Sequence, residues 1–138
     1  IRIMTTLLDT GPLVAYLYEG DAHHEWSKKQ AARISTPLVS CESVISEAQF
    51  LLSNVPTGPQ RLFDLLDRNV VRFPFSYSAH AERVNALIRT YSDQPMSFAD
   101  ACLVCMSEVY EESRVFTVDS DFRVYQKHGD EPIPTLMP

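Results

Sequence analysis

Met4-Thr5-Thr6-Leu7-Leu8-Asp9-Thr10-Gly11-Pro12-Leu13-Val14-Ala15 opens with a short apolar run and closes on a helix start. Met4–Leu8 has the composition of a buried strand, and Asp9-Thr10-Gly11-Pro12 stops it. Proline fits the first turn of a helix, where its missing N–H is no loss, so Pro12 and the apolar residues behind it predict a helix ending near Gly20. A strand, an acid at its carboxyl end and a helix are the first unit of an alternating fold.

The pattern repeats outward from there. A polar helix is expected from Ala22 to Ile34, a short strand over Pro37–Ser40, and a helix from Glu42 to about Asn54 with Val44, Ile45, Ala48, Leu51 and Leu52 at helical spacing. Pro56-Thr57-Gly58-Pro59 signals a turn before another amphipathic helix. Val70–Phe75 reads as a third strand, Ala79 to Tyr91 as a helix, and Arg114–Val118 as a fourth strand. Ser97 to Tyr110 is apolar on nearly every side and is expected deep in the fold. A short helix over Phe122 to Lys127 and an edge strand over Ile133–Leu136 complete the chain. Strands alternating with helices through short links predict an α/β fold, a mostly parallel central sheet flanked by helices. No repeat or linker divides residues 1–138, so one domain is expected. Ile1, Arg2 and Ile3 read as an appendage ahead of a more natural start at Met4.

Composition bounds the function. The 138 residues are 45% hydrophobic and 22% charged, an ordinary globular balance. No apolar run reaches the roughly 18 residues of a membrane span, and no secretory leader is visible. Three cysteines are too few for a disulfide framework, which agrees with a cytoplasmic protein. A net charge of −6 looks wrong for a nucleic-acid partner, but the five acids singled out below account for all but one of it.

In sheets of this kind ligands bind beyond the carboxyl ends of the strands. Asp9 follows the first strand immediately and Asp119 the fourth, with Asp121 two residues on; helix capping would explain each singly. Asp100 sits among Phe98, Ala99, Ala101, Leu103 and Val104. Ser97-Phe98-Ala99-Asp100 has the form of a capping box, yet a carboxylate beside so much apolar surface costs several kcal/mol unless paired or metal-bound. Glu47 borders the apolar stripe of its helix. Glu42 is its rival, but at about 100° per residue the two point roughly 140° apart and cannot share a site. Carboxylates gathered at one edge would repel without a cation, and oxygen-only ligands suit Mg²⁺ or Mn²⁺.

Four stretches together resemble the motifs of PIN domains. They are Leu7–Ala15, Glu42-Ser43-Val44-Ile45-Ser46-Glu47-Ala48, Met96–Val104, and Phe116-Thr117-Val118-Asp119-Ser120-Asp121-Phe122. Order and spacing fit over essentially the whole chain, and its length looks most like the free-standing VapC-type toxins. The resemblance implies a Mg²⁺- or Mn²⁺-dependent endoribonuclease with Asp9, Glu47, Asp100 and Asp119 as the acidic quartet and Asp121 as a fifth acid. It places Thr10, Ser97 and Thr117 in support, and Asp9, Asp100, Asp119 and Asp121 around the metal. It further implies an RNA substrate, a homodimer and a small antitoxin protein. A non-catalytic RNA-binding or regulatory PIN module is the alternative, and a DNA nuclease a third.

Other signals carry less. Asp9-Thr10-Gly11 is also the aspartic-protease triplet, but those enzymes are all-β. An Asp-x-Asp phosphatase fails because Gly11 stands two beyond Asp9. Cys102 and Cys105 form a C-x-x-C inside a helix with no second pair, so buried thiols are expected. His23-His24-Glu25 is expected at an exposed helix start with Trp26 packed inward. Arg123, Tyr125, Lys127 and His128 fit a solvated helix face or a contact to RNA.

Overall fold

The first strand, β1 (Thr5–Leu8), buries Thr6, Leu7 and Leu8 in the middle of a five-stranded sheet. In the computed structural model, which describes residues 4–35 and 37–138, helix α1 (Thr10–Leu17) and helix α2 (His24–Arg33) follow. Strand β2 (Leu38–Val39), helices α3 (Glu42–Leu51) and α4 (Gly58–Asp67), and strand β3 (Val71–Arg72) come next. Helices α5 (Tyr77–Thr90) and α6 (Phe98–Val109) then lead to β4 (Ser113–Phe116). A single 3-10 turn (Ser120–Arg123) precedes β5 (Gln126–Lys127), β6 (Glu131–Pro132) and β7 (Thr135–Leu136). The suggested appendage, Ile1, Arg2 and Ile3, lies outside the described residues.

The sheet runs β3-β2-β1-β4-β7 with every neighbouring pair parallel. From β1 the chain steps outward to β2 and β3, then crosses back to lay β4 on the other side of β1. In open α/β sheets such a reversal is where ligands bind, beyond the carboxyl ends of the strands, here those of β1 and β4. The two strands pair from Thr5↔Ser113 to Leu8↔Phe116, so the residues after Leu8 and Phe116 emerge side by side. The expected α/β fold with a mostly parallel sheet is the one observed.

Helix α6 is buried from Ala99 to Ser107, as its all-round apolar pattern requires. Leu103, Val104 and Met106 are wholly inaccessible, each burial contributing about 1.5–3 kcal/mol relative to exposure. Cys102 and Cys105 are buried free thiols, and Cys41 is a third.

Several local expectations change. Strand β3 covers two residues instead of Val70–Phe75. Strand β4 ends at Phe116, so Asp119 stands three residues beyond it: the Thr117 hydroxyl accepts the Asp119 N–H at 2.9 Å and bends the chain. No helix spans Phe122 to Lys127. His128 and Gly129 take left-handed backbone angles (φ 53° and 84°), and the resulting turn pairs Gln126 and Lys127 antiparallel with Pro132 and Glu131. Tyr125 and Lys127 are therefore buried, not on a solvated helix face. His24 is buried as well; an imidazole nitrogen lies 2.6 Å from the Ala15 carbonyl, tying α2 to α1. Trp26 packs inward as expected, its ring edge on Phe116 at 5.5 Å.

Candidate metal centre

Asp9 leaves β1 with its N–H donating to the Phe116 carbonyl at 3.0 Å, so the ladder extends to the first acid. Its carboxylate caps α1 by accepting the Thr10 N–H on Oδ1 at 2.8 Å. The Thr117 hydroxyl donates to Oδ2 at 2.7 Å. Thr117 thus joins Asp9 to the Asp119 backbone through one buried oxygen. Gly11 permits the close approach: a Cβ there would collide with the Val118 side chain. The triplet Asp9-Thr10-Gly11 is explained by this crossing of α1 over the loop behind β4.

Glu47 reaches the same edge from α3. The Thr10 hydroxyl donates to its Oε2 at 3.0 Å, while Glu42 is exposed at the start of the helix. Asp100 closes the capping box with Ser97: the Asp100 N–H donates to Ser97 Oγ at 3.0 Å and the Ser97 N–H to Asp100 Oδ2 at 3.4 Å. Tyr125 adds its hydroxyl to the same Oδ2 at 2.9 Å. Asp119 caps the 3-10 turn by accepting the Asp121 N–H at 2.9 Å. The capping explanations for Asp9, Asp100 and Asp119 are all realised, and the same bonds fix the directions of these carboxylates. Tyr125 is the contributor that the sequence did not single out for this place.

The electrostatics join the acids further. Asp9 is 6% exposed and its carboxyl is pushed up to about 7. Burial is the main cause; the charges of Asp100 and Asp119 add to it, and the hydrogen bonds from Thr117 and Thr10 oppose it. Asp100 is raised by burial against its bonds from Tyr125 and Ser97, with the charge of Asp119 adding. Asp121 is raised by desolvation and by Asp119. Among the described residues no Lys, Arg or His is ion-paired with Asp9, Glu47, Asp100, Asp119 or Asp121.

An all-oxygen donor set in a negative, partly buried setting fits a hard divalent cation, and its soft and imidazole donors are missing for zinc. The fit is one of donor chemistry. Among the described residues no three acidic, His or Cys side chains stand together as a ready-made ligand set.

Residues 6–127 match the family model described as PIN domain. The chain belongs to the PIN-domain family. Its fold is similar to that of VapC20 from Mycobacterium tuberculosis, a sarcin-ricin loop cleaving toxin. That structure aligns with a TM-score of 0.75 at 20% identity, covering 87% of this chain and 94% of the other. A search of curated proteins finds no match. The PIN resemblance carried by the four acidic stretches is therefore met at the level of family and fold.

Proposed function

We propose that this PIN domain is a Mg²⁺- or Mn²⁺-dependent endoribonuclease. Asp9, Asp100, Asp119 and Asp121 hold the ion, and Glu47 completes the catalytic quartet with Asp9, Asp100 and Asp119. The observation that carries the reading is Asp9, a buried carboxylate raised to about 7 beside two further acids, with no basic side chain paired to it among the described residues. Such a group is stabilised by a cation. Uncompensated acids repel, and a divalent cation held by them would offset that repulsion. When bound, a divalent ion lowers the pKa of a water and offsets charge on a phosphodiester. The chain's own part is orientation: Thr10, Thr117 and Ser97 fix the carboxylates by hydrogen bonds.

VapC20 cleaves the sarcin-ricin loop, which supports RNA as the substrate class here. By the same analogy the chain is the toxin of a type II pair, a homodimer whose site a small antitoxin protein covers. Residues 1–138 then act as one domain in the cytoplasm. Among the described residues no helix is long and apolar enough to cross a membrane.

That no three-acid ligand set stands ready-made among the described residues favours a second reading, a non-catalytic RNA-binding or regulatory module. RNA cleavage by wild type and Asp100→Asn, with Mn²⁺ and with EDTA, separates the two. Cleavage lost on mutation and on chelation supports the nuclease. No cleavage by wild type across varied RNAs supports the module, and equal cleavage by both proteins exposes a contaminant. Sequencing RNA ends after controlled expression would then name the target.

A further inference from the structure

Tyr125 stands 25 residues beyond Asp100 in the chain, yet its hydroxyl donates to Asp100 Oδ2 at 2.9 Å. Its side chain is held from several directions. The ring is 1% exposed and meets Tyr91 and Phe122 edge-on, with centroids 5.2 Å away in each case. The backbone is held as well. The Tyr125 N–H donates to the Asp121 carbonyl at 3.0 Å, and the next N–H, of Gln126, donates to the Tyr91 hydroxyl oxygen at 2.9 Å. Further along, the His128 N–H donates to Glu108 at 2.6 Å, so the β5–β6 hairpin is anchored on α6, the helix that carries Asp100.

We propose that Tyr125 is a positioning residue of the metal centre, selecting the Asp100 oxygen that faces the ion. This inference rests on the nuclease reading above. Oδ2 takes both the Tyr125 hydroxyl and the Ser97 N–H. With both of these bonds on one oxygen, Oδ1 would be the freer of the two to ligate. A carboxylate without this anchor turns about its Cβ–Cγ bond and must be ordered when the ion arrives. Outer partners of this kind typically change metal affinity or activity about 10–100-fold. Tyr125 touches no reacting atom; it acts through Asp100.

The test is Mn²⁺ binding, followed by loss of the free-ion electron paramagnetic resonance signal, on wild type, Tyr125→Phe, Tyr91→Phe and Tyr110→Phe. Circular dichroism without metal reports folding. Tyr125→Phe keeps the ring contacts and should bind Mn²⁺ about tenfold more weakly, with the metal concentration for half-maximal cleavage rising by the same factor. Tyr91→Phe frees the Gln126 N–H and should shift affinity the same way by less. Tyr110→Phe, at the far end of α6, should match wild type. Wild-type affinity in folded Tyr125→Phe, or in Tyr91→Phe if the first variant does not fold, overturns the positioning role. A wild type that binds no Mn²⁺ instead overturns the metal-dependent reading itself.

Discussion

Two groups of acids in this fold differ in what neutralises them. At the α5–α6 corner, Glu108 accepts two hydrogen bonds from Arg83, at 2.8 and 2.7 Å, and Glu111 meets His128 at 2.8 Å and Lys127 at 3.6 Å. Burial pushes Glu108 up, but the bonds and charge of Arg83 outweigh it and hold the carboxyl below its ordinary value. At the β1–β4 edge, Asp9 and Asp100 have hydroxyls and N–H groups for partners and shift the opposite way. Both corners use carboxylates oriented by hydrogen bonds. The first brings its own counter-charges and fastens a hairpin to a helix. The second is left negative, which is the condition for binding a cation from solution.

The contrast is tested hardest at Asp9. Asp9→Asn should reduce cleavage by roughly 10²–10³-fold, the range for removing one preorganised charge-stabilising group. It should also raise the melting temperature of the metal-free protein at pH 8, because a buried uncompensated charge is gone. A lower melting temperature would show that this carboxylate is structurally required. Arg83→Met should do the reverse. Stability falls by about 1–2 kcal/mol, as for loss of a charged hydrogen-bonded partner that is partly exposed, while Mn²⁺ affinity stays at the wild-type value. Denaturant unfolding and a metal titration read the two effects separately.

pH sharpens the comparison at smaller amplitude. The folded Asp9 value of about 7 lies above its ordinary 3.8, so between those limits the folded state holds more protons than the unfolded one. Its contribution to metal-free stability therefore falls as pH rises from about 4 to about 7 and is flat above. Mn²⁺ competes with that proton, so the metal-induced rise in melting temperature should grow over the same window and level off beyond pH 7. Glu108 is depressed, so its contribution is full above the ordinary 4.5 and is lost as pH falls through the folded value. Thermal melts of Asp9→Asn and Glu108→Gln across pH 3.5–8 assign each slope. The smallest effect belongs to Glu42→Gln. Glu42 is exposed on another face of α3, and its loss should leave RNA cleavage unchanged where Glu47→Gln lowers it.

The parts of the molecule readable from residue order were those with a local signal. Strand β1, helix α1 and the buried run of α6 each carry their own apolar pattern, and Asp100 drew notice because its neighbours offered it no counter-charge. The helical repeat showed that Glu47 and Glu42 cannot share a site, and the PIN resemblance pointed to Glu47, which the Thr10 hydroxyl meets. The hairpin was missed because Gln126, Lys127, Glu131 and Pro132 show no alternation, and two-residue strands leave almost none to find. Tyr125 was missed for a related reason. What makes it matter is a bond to a residue on another element, and nothing in Val124-Tyr125-Gln126 announces that. His24 misled because its burial depends on a carbonyl of α1, not on the polar residues beside it.

The pairing of β1 with β4 has a consequence for synthesis. The hydroxyl that steadies Asp9 arrives 108 residues later, so a ribosome must make all of that intervening chain before the first acid meets its neighbour. Contacts this distant along the chain form late and slowly. A product that stops short of Thr117 would carry the early carboxylates without their frame, and the centre would come into being only once that later stretch has been made.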